Sequence, residues 1–408
     1  MRRGNRGLLG LLGPAFVASV AYVDPGNVAA NLTAGSRYGY LLVWVLVVSS
    51  AMAVLVQYLS AKLGVVTGRS LSSLVGEHLE NKRGRVARVG YAMQALVMAV
   101  ATDVAEVIGG ALGLHLLFGI PLWLGGLIVG VVTLVLLDAL RTGGERVFEM
   151  VISAFLALVA IGFMAGMIWS PPDPAQTLDG LLPRFRGTDS IALAAAMLGA
   201  TVMPHAIYLH STLAADRHRP SGGRDHGIGR LLAAQRVDVF AALLVAGTVN
   251  ISMVLFAAST LQGFDATDSI ESAYAAIKSR VGLAPATIFG AGLLVSGIGS
   301  ALVGTHAGAR IMRDLWPWSM SHHVRRGITI VPAVVLLALG IHPSQLLVGS
   351  QLLLSFGIAF AVVPLVHLTS SKRTMGRYAN SWWLRLAAWS VVAVIVGLNL
   401  VLVWLAVS

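Results

Sequence analysis

Eleven stretches of the chain are apolar over lengths that suit a membrane-spanning helix. They lie near residues 8–39, 41–63, 86–114, 121–139, 147–169, 189–213, 237–261, 285–309, 327–341, 346–368 and 382–405. A bilayer core takes about 20 apolar residues in helical form. The ninth run is short, but it is bounded by Arg325-Arg326 and His342-Pro343. Strand-like alternation is missing from the pattern, as it should be where backbone groups must bond within their own segment. The first and sixth runs are interrupted in their middles, by Asp24-Pro25-Gly26-Asn27 and by Met203-Pro204-His205. The pattern predicts an all-α integral membrane protein in which residues 1–408 form a single transmembrane domain.

Composition agrees. Of 408 residues, 56% are hydrophobic and only 12% charged, against about 25% charged in soluble domains. Several soluble domains, a fibre and a disordered chain are thereby excluded. Cysteine is absent, which removes disulfides, thiolate metal sites and a cysteine nucleophile. The basic start at Met1-Arg2-Arg3 mimics a signal peptide, but the apolar run continues into Asp24-Pro25-Gly26-Asn27 without a small-residue cleavage pattern.

The net charge of +11 would suit nucleic acid if it were clustered on one soluble face. Its distribution says otherwise. With the N-terminus placed in the cytoplasm, 24 of the 29 Lys and Arg residues fall on inner connections and 5 on outer ones. That is the positive-inside asymmetry of a multi-pass protein of the inner (plasma) membrane, with its C-terminus outside. The runs from Lys82 to Arg88 and from Arg217 to Arg236 read as cytoplasmic loops. Trp316, Trp318, Trp382 and Trp383 read as interfacial anchors. The partners expected are the lipid bilayer and small ions, with no nucleic acid and no obligatory protein partner.

The interruptions carry the chemistry. Pro25 removes an amide donor and disfavours helix at Asp24, so carbonyls such as that of Ala21 should be freed. Pro204 should likewise free carbonyls near Ala200. Irregular backbone at membrane depth persists only where it lines a cavity, and an ionisable residue such as Asp24 is costly there. Two broken helices in corresponding positions point to a transporter of inverted repeats with its site at the midplane. The repeats would span about 8–169 and 189–368, with 382–405 an added helix. The converging groups are the Asp24 carboxylate, the Asn27 amide oxygen, free carbonyls and the Met203 thioether. All are acceptors, so the ligand is a cation. A thioether favours transition metals over hard ions. A methionine in an apolar helix usually packs, but its place directly before Pro204 favours a ligand.

Titratable groups sit nearby. Asp103 and Glu106, spaced i,i+3, share a helix face and would repel unless protonated or paired. Arg325 and Arg326, at the cytoplasmic mouth of the ninth span, are the expected partners. His205 and His210 are too poorly aligned for one shared zinc site, and a lone membrane histidine is often a packing hydrogen bond.

With these residues in view, the chain resembles the Nramp family of proton-coupled divalent-metal transporters. The resemblance rests on Asp24-Pro25-Gly26-Asn27, on Met203-Pro204-His205 within residues 200–211, and on Ala101 to Glu106. It extends to Val324-Arg325-Arg326-Gly327 and to residues 350–357. It implies a LeuT-type fold of eleven helices with helices 1 and 6 discontinuous. It implies import of Mn²⁺ or Fe²⁺ with H⁺ by alternating access, and no resident cofactor. The implied metal ligands are Asp24, Asn27, Met203 and the carbonyls of Ala21 and Ala200, with Gln351 joining in some conformations. The implied proton path runs through Asp24, His205, Asp103, Glu106, Arg325 and Arg326, with His210 beside it. The eighth span departs from the family in carrying His306 and Arg310. An alternative reading keeps the fold but moves Na⁺ with an organic solute. An enzyme is not expected: neither His-Glu-x-x-His nor Gly-x-Ser-x-Gly occurs.

Overall fold

A computed structural model describes residues 13–79, 85–217, 227–262, 269–315 and 322–407. Its elements run α1 (Pro14–Val20), a 3-10 turn (Ala21–Val23), α2 (Pro25–Tyr38), α3 (Val43–Thr67), α4 (Leu71–His78), α5 (Arg85–Phe118), α6 (Leu122–Gly143) and α7 (Glu145–Trp169). Then follow α8 (Pro174–Asp179), α9 (Gly187–Thr201), α10 (Pro204–Arg217), α11 (Ile228–Leu261), α12 (Ile270–Arg280) and α13 (Leu283–Leu315). The chain closes with α14 (His322–Ala338), α15 (Pro343–Ser370), α16 (Lys372–Met375), a second 3-10 turn (Gly376–Tyr378) and α17 (Trp382–Val407). The described residues contain no strand.

Nine helical stretches among the described residues are long and apolar enough to cross a membrane, with α9 and α10 counted together. The remaining two predicted runs fall short for physical reasons. The first is cut at Asp24 into α1 and α2, and α14 has 17 residues and an internal Pro332. Helices α6, α7 and α17 turn large apolar side chains such as Val135, Ile161 and Trp404 outward, the face a lipid solvent requires.

Caps set several helix ends. Pro14 occupies the first turn of α1, and its free amides find a partner on a distant helix: Gly13 and Ala15 N–H donate to the Asp238 carboxylate of α11 at 3.1 Å. Ser70 caps α4 and Asp173 caps α8 by accepting from backbone amides. These short helices, with α12, fall in segments whose polar composition reads as loop. Arg88, Arg230 and Arg236 correct the loop reading in the other direction: they lie inside α5 and α11, because both helices continue through these basic residues. Arg236 donates to the Tyr58 hydroxyl at 3.1 Å. Arg217 ends α10 and pairs with Glu149 at 2.5 Å. Trp382 and Trp383 stack and are exposed, whereas Lys82, Arg83, Arg219, Arg224, Trp316 and Trp318 lie outside the described residues.

The interior is a bundle in which α5 lies along α13, α11 covers α2 and α3, and α15 packs on α5 and α9. Small residues let backbones meet: a Cβ on Gly297 of α13 would fall 2.5 Å from the amide nitrogen of Gly110 on α5. One internal proline leaves a mark. Pro364 in α15 has no N–H to give the carbonyl four residues earlier. The Phe360 carbonyl instead accepts from the Tyr91 hydroxyl of α5 at 2.6 Å and from Tyr208 of α10 at 3.3 Å.

Candidate site at the helix interruptions

Asp24 stands between the 3-10 turn and α2 with extended backbone (φ −76°, ψ 167°). Its carboxylate caps α2, accepting from the Asn27 amide at 2.8 Å. This explains the local chain course: Pro25 at the first helical position needs no hydrogen-bond partner, and an acidic N-cap satisfies the next free amide. The carbonyls released by the turn are taken up from other helices. Tyr22 O accepts from Asn250 Nδ2 of α11 at 2.8 Å, and Val23 O accepts from Ser296 Oγ of α13 at 2.5 Å.

At the second interruption α9 ends at Thr201, Val202 and Met203 are non-helical, and α10 starts at Pro204. Asn27 joins the two: its Nδ2 donates to Asp24 Oδ1 at 2.7 Å and to the Ala200 carbonyl at 2.8 Å. Gln351 of α15 donates to Asp24 Oδ2 at 3.3 Å. Its amide lies directly over Gly26, where an added Cβ would fall 1.6 Å from Nε2. Asp24, Asn27, Met203, Ala200, Ala21 and Gln351 are all buried. Hydrogen bonds thus run from Gln351 through Asp24 and Asn27 to the Ala200 carbonyl, with Ala21 in the adjoining turn.

Two acceptors are left over. Asn27 Oδ1 and Gln351 Oε1 are buried with no hydrogen-bond donor. The orientation of Asn27 is forced, since both the carboxylate and the carbonyl it faces can only accept. A buried acceptor without a partner costs about 1–3 kcal/mol, so this cluster is poised to take a positive charge.

The titratable residues divide into two groups. His205 Nδ1 lies 3.4 Å from Thr102 Oγ1 of α5, and Asp103 is within Coulombic reach of the same ring. Glu106 is fully buried one turn further on, its carboxylate against α13 at Gly304. His210 faces elsewhere: its Nδ1 is 2.8 Å from Gln57 Oε1 of α3, and Gln57 Nε2 donates to the Tyr22 hydroxyl at 2.6 Å. Arg325 and Arg326 lie near the start of α14, and their side chains lie outside the described residues. In the eighth predicted span, His306 sits beside the Phe148 ring and Arg310 pairs with Asp216 at 2.9 Å.

Sequence reasoning passed over Gln57, Asn250, Ser296 and Thr102. Gln57 and Asn250 did carry a signal, a polar amide inside an apolar run.

The family described as natural resistance-associated macrophage protein-like (Nramp) matches residues 15–405. The divalent metal cation transporter MntH of Mycobacterium tuberculosis is 52% identical over 399 residues, covering 98% of this chain and 92% of that one. A solved manganese transporter of Eremococcus coleocola superposes with a TM-score of 0.86 at 26% identity, covering 98% of this chain and 88% of that one. Mhp1, a nucleobase-cation-symport-1 family transporter, gives a TM-score of 0.61 at 14% identity over 97% and 93% of the two chains; at that identity the likeness speaks to fold alone.

Proposed function

Because this chain belongs to the Nramp family, we propose that it imports a divalent transition metal, Mn²⁺ or Fe²⁺, together with protons by alternating access. The metal binds at the midplane between the two interruptions. Asp24, Asn27, Met203 and the carbonyls of Ala21 and Ala200 hold it, and Gln351 joins as the site closes. The observation that carries this reading is the pair of buried, donor-less carbonyl oxygens of Asn27 and Gln351 beside the Asp24 carboxylate. A cation taking the place now held by Asn27 Nδ2 lets the amide turn and present its oxygen. The Met203 thioether biases the site toward transition metals.

Protons leave Asp24 by way of His205, Asp103 and Glu106 toward Arg325 and Arg326, with His210 adjoining through Gln57. The likeness to Mhp1 supports a LeuT-type arrangement of eleven helices, in which two inverted five-helix repeats (about 8–169 and 189–368) precede the added helix 382–405. Helices 1 and 6 are the discontinuous pair. The basic-residue asymmetry supports a cytoplasmic N-terminus and an outside C-terminus in the inner membrane. No resident cofactor and no obligatory protein partner take part.

Proteoliposomes loaded with a metal-quenched dye test the reading. Mn²⁺ added outside should quench the dye, and a pH dye inside should acidify with it. Uptake by Asp24→Ala at the parental rate would overturn the site, and Mn²⁺ entry without acidification would overturn the coupling.

A further inference from the structure

The arrangement around Asn27 has a counterpart one helical turn along α2. Asn31 is four residues further on, about 6 Å along the axis, and lies on the same face. It is fully buried. Its Nδ2 donates to Asn250 Oδ1 at 2.9 Å and points at Met253 Sδ at 3.9 Å. Its own Oδ1 is buried without a hydrogen-bond donor. The orientations are forced in sequence. Tyr22 O can only accept, so it holds Asn250 Nδ2. Asn250 Oδ1 therefore faces Asn31 and requires Nδ2 of that residue. The outcome matches that at Asn27: an amide NH₂ faces acceptors, at least one of them on another segment, and the amide oxygen is left over.

From this repetition we propose that Asn31, Asn250 and Met253 form a second cation station, beyond the Asp24 site on the outer half of α2, for a soft divalent transition metal. The station rests on the metal-import reading above. When Asn31 turns its amide, two carboxamide oxygens and a thioether converge. Amide oxygens alone would admit hard cations, and the thioether selects for soft ones. The station holds no carboxylate, so it binds far more weakly than the Asp24 site. Weak, serial binding is what passage requires, since a site on the way in must also let go. Asn250 links the two stations, one end of its amide on the turn below and the other on Asn31.

Cd²⁺ is the probe, because it is divalent and softer than Mn²⁺. Equilibrium binding to the purified chain in detergent should show two Cd²⁺ per chain, one tight and one weak. Asp24→Ala should lose the tight one and keep the weak one. Met253→Leu, which conserves volume, should lose the weak one and raise the KM for Cd²⁺ uptake about tenfold, with a smaller rise for Mn²⁺. Asn31→Asp should convert the weak station into a tight one and slow uptake, an effect that a purely structural asparagine would not produce. A single Cd²⁺ in the parent, lost altogether in Asp24→Ala, would overturn the second station and leave the import reading standing. Two Cd²⁺ retained by Asp24→Ala would instead overturn the placement of the main site. Equal KM rises for Cd²⁺ and Mn²⁺ in Met253→Leu would remove the thioether from the station.

Discussion

At the first interruption the loosened backbone is wired to the rest of the bundle. Asn250 holds Tyr22 O, Ser296 holds Val23 O, and Asp24 caps α2. At the second interruption the chain between α9 and α10 is apolar: Val202 and Met203 are buried in the core cluster, and the Ala200 carbonyl takes its side-chain hydrogen bond from Asn27 of the first. One break is thus fixed by polar partners from two other helices, and the other by packing and by its neighbour. The difference suits the ligand proposed for each. A carboxylate must be pre-positioned against its own desolvation cost. A thioether on a flexible, polarisable side chain adapts to what arrives.

The contrast can be broken in four ways, in falling order of expected effect. Gly26→Ala places a methyl where the Gln351 amide lies, so the glutamine must leave Asp24. Mn²⁺ uptake should fall by at least tenfold, about 1.4 kcal/mol, and Gln351→Ala should relieve part of that loss. A double variant slower than both Gly26→Ala and Gln351→Ala would show that the contact is not what matters. Asn250→Leu removes both the partner of Tyr22 O and that of Asn31. We expect the protein to lose about 1–3 kcal/mol, read as a lowered thermal midpoint in detergent. Ser296→Ala removes one partner of the wired turn and should cost about 1 kcal/mol by the same measurement. Met203→Leu conserves volume at the packed break and should cost the least stability of the four. Its signature is in discrimination, with Ca²⁺ competing better against Mn²⁺ uptake. A Met203→Leu protein less stable than Asn250→Leu would invert the contrast.

Much of this was legible in the chain. Pro25 and Pro204 announce interruptions because proline cannot donate within a helix, and Asp24 and Asn27 are conspicuous in an apolar run. Their partners were not legible. Asn250 and Ser296 stand more than 200 residues away, and an isolated polar residue in a span advertises a need without naming who meets it. The histidines show the same limit. Their i,i+5 spacing separates them, and only the packing reveals that His205 turns to α5 and His210 to α3. The small helices α4, α8 and α12 escaped because their residues are too polar for a span and too few for a clear helical period. Arg230 and Arg236 read as loop because basic residues crowd residues 217–236, yet a helix can continue through such a stretch.

The tyrosine pair at Phe360 bears on how the bundle can move. Two hydroxyls from α5 and α10 share one carbonyl of α15, a vacancy created by Pro364. Three helices therefore meet at one point on α15. The two hydroxyls also touch each other, so displacements that part α5 from α10 must break a hydroxyl contact, whereas turning the pair together about the shared oxygen keeps them. The proline thereby supplies a fulcrum: it turns sliding between these helices into rotation, and lengths of helix on either side of residue 360 become lever arms.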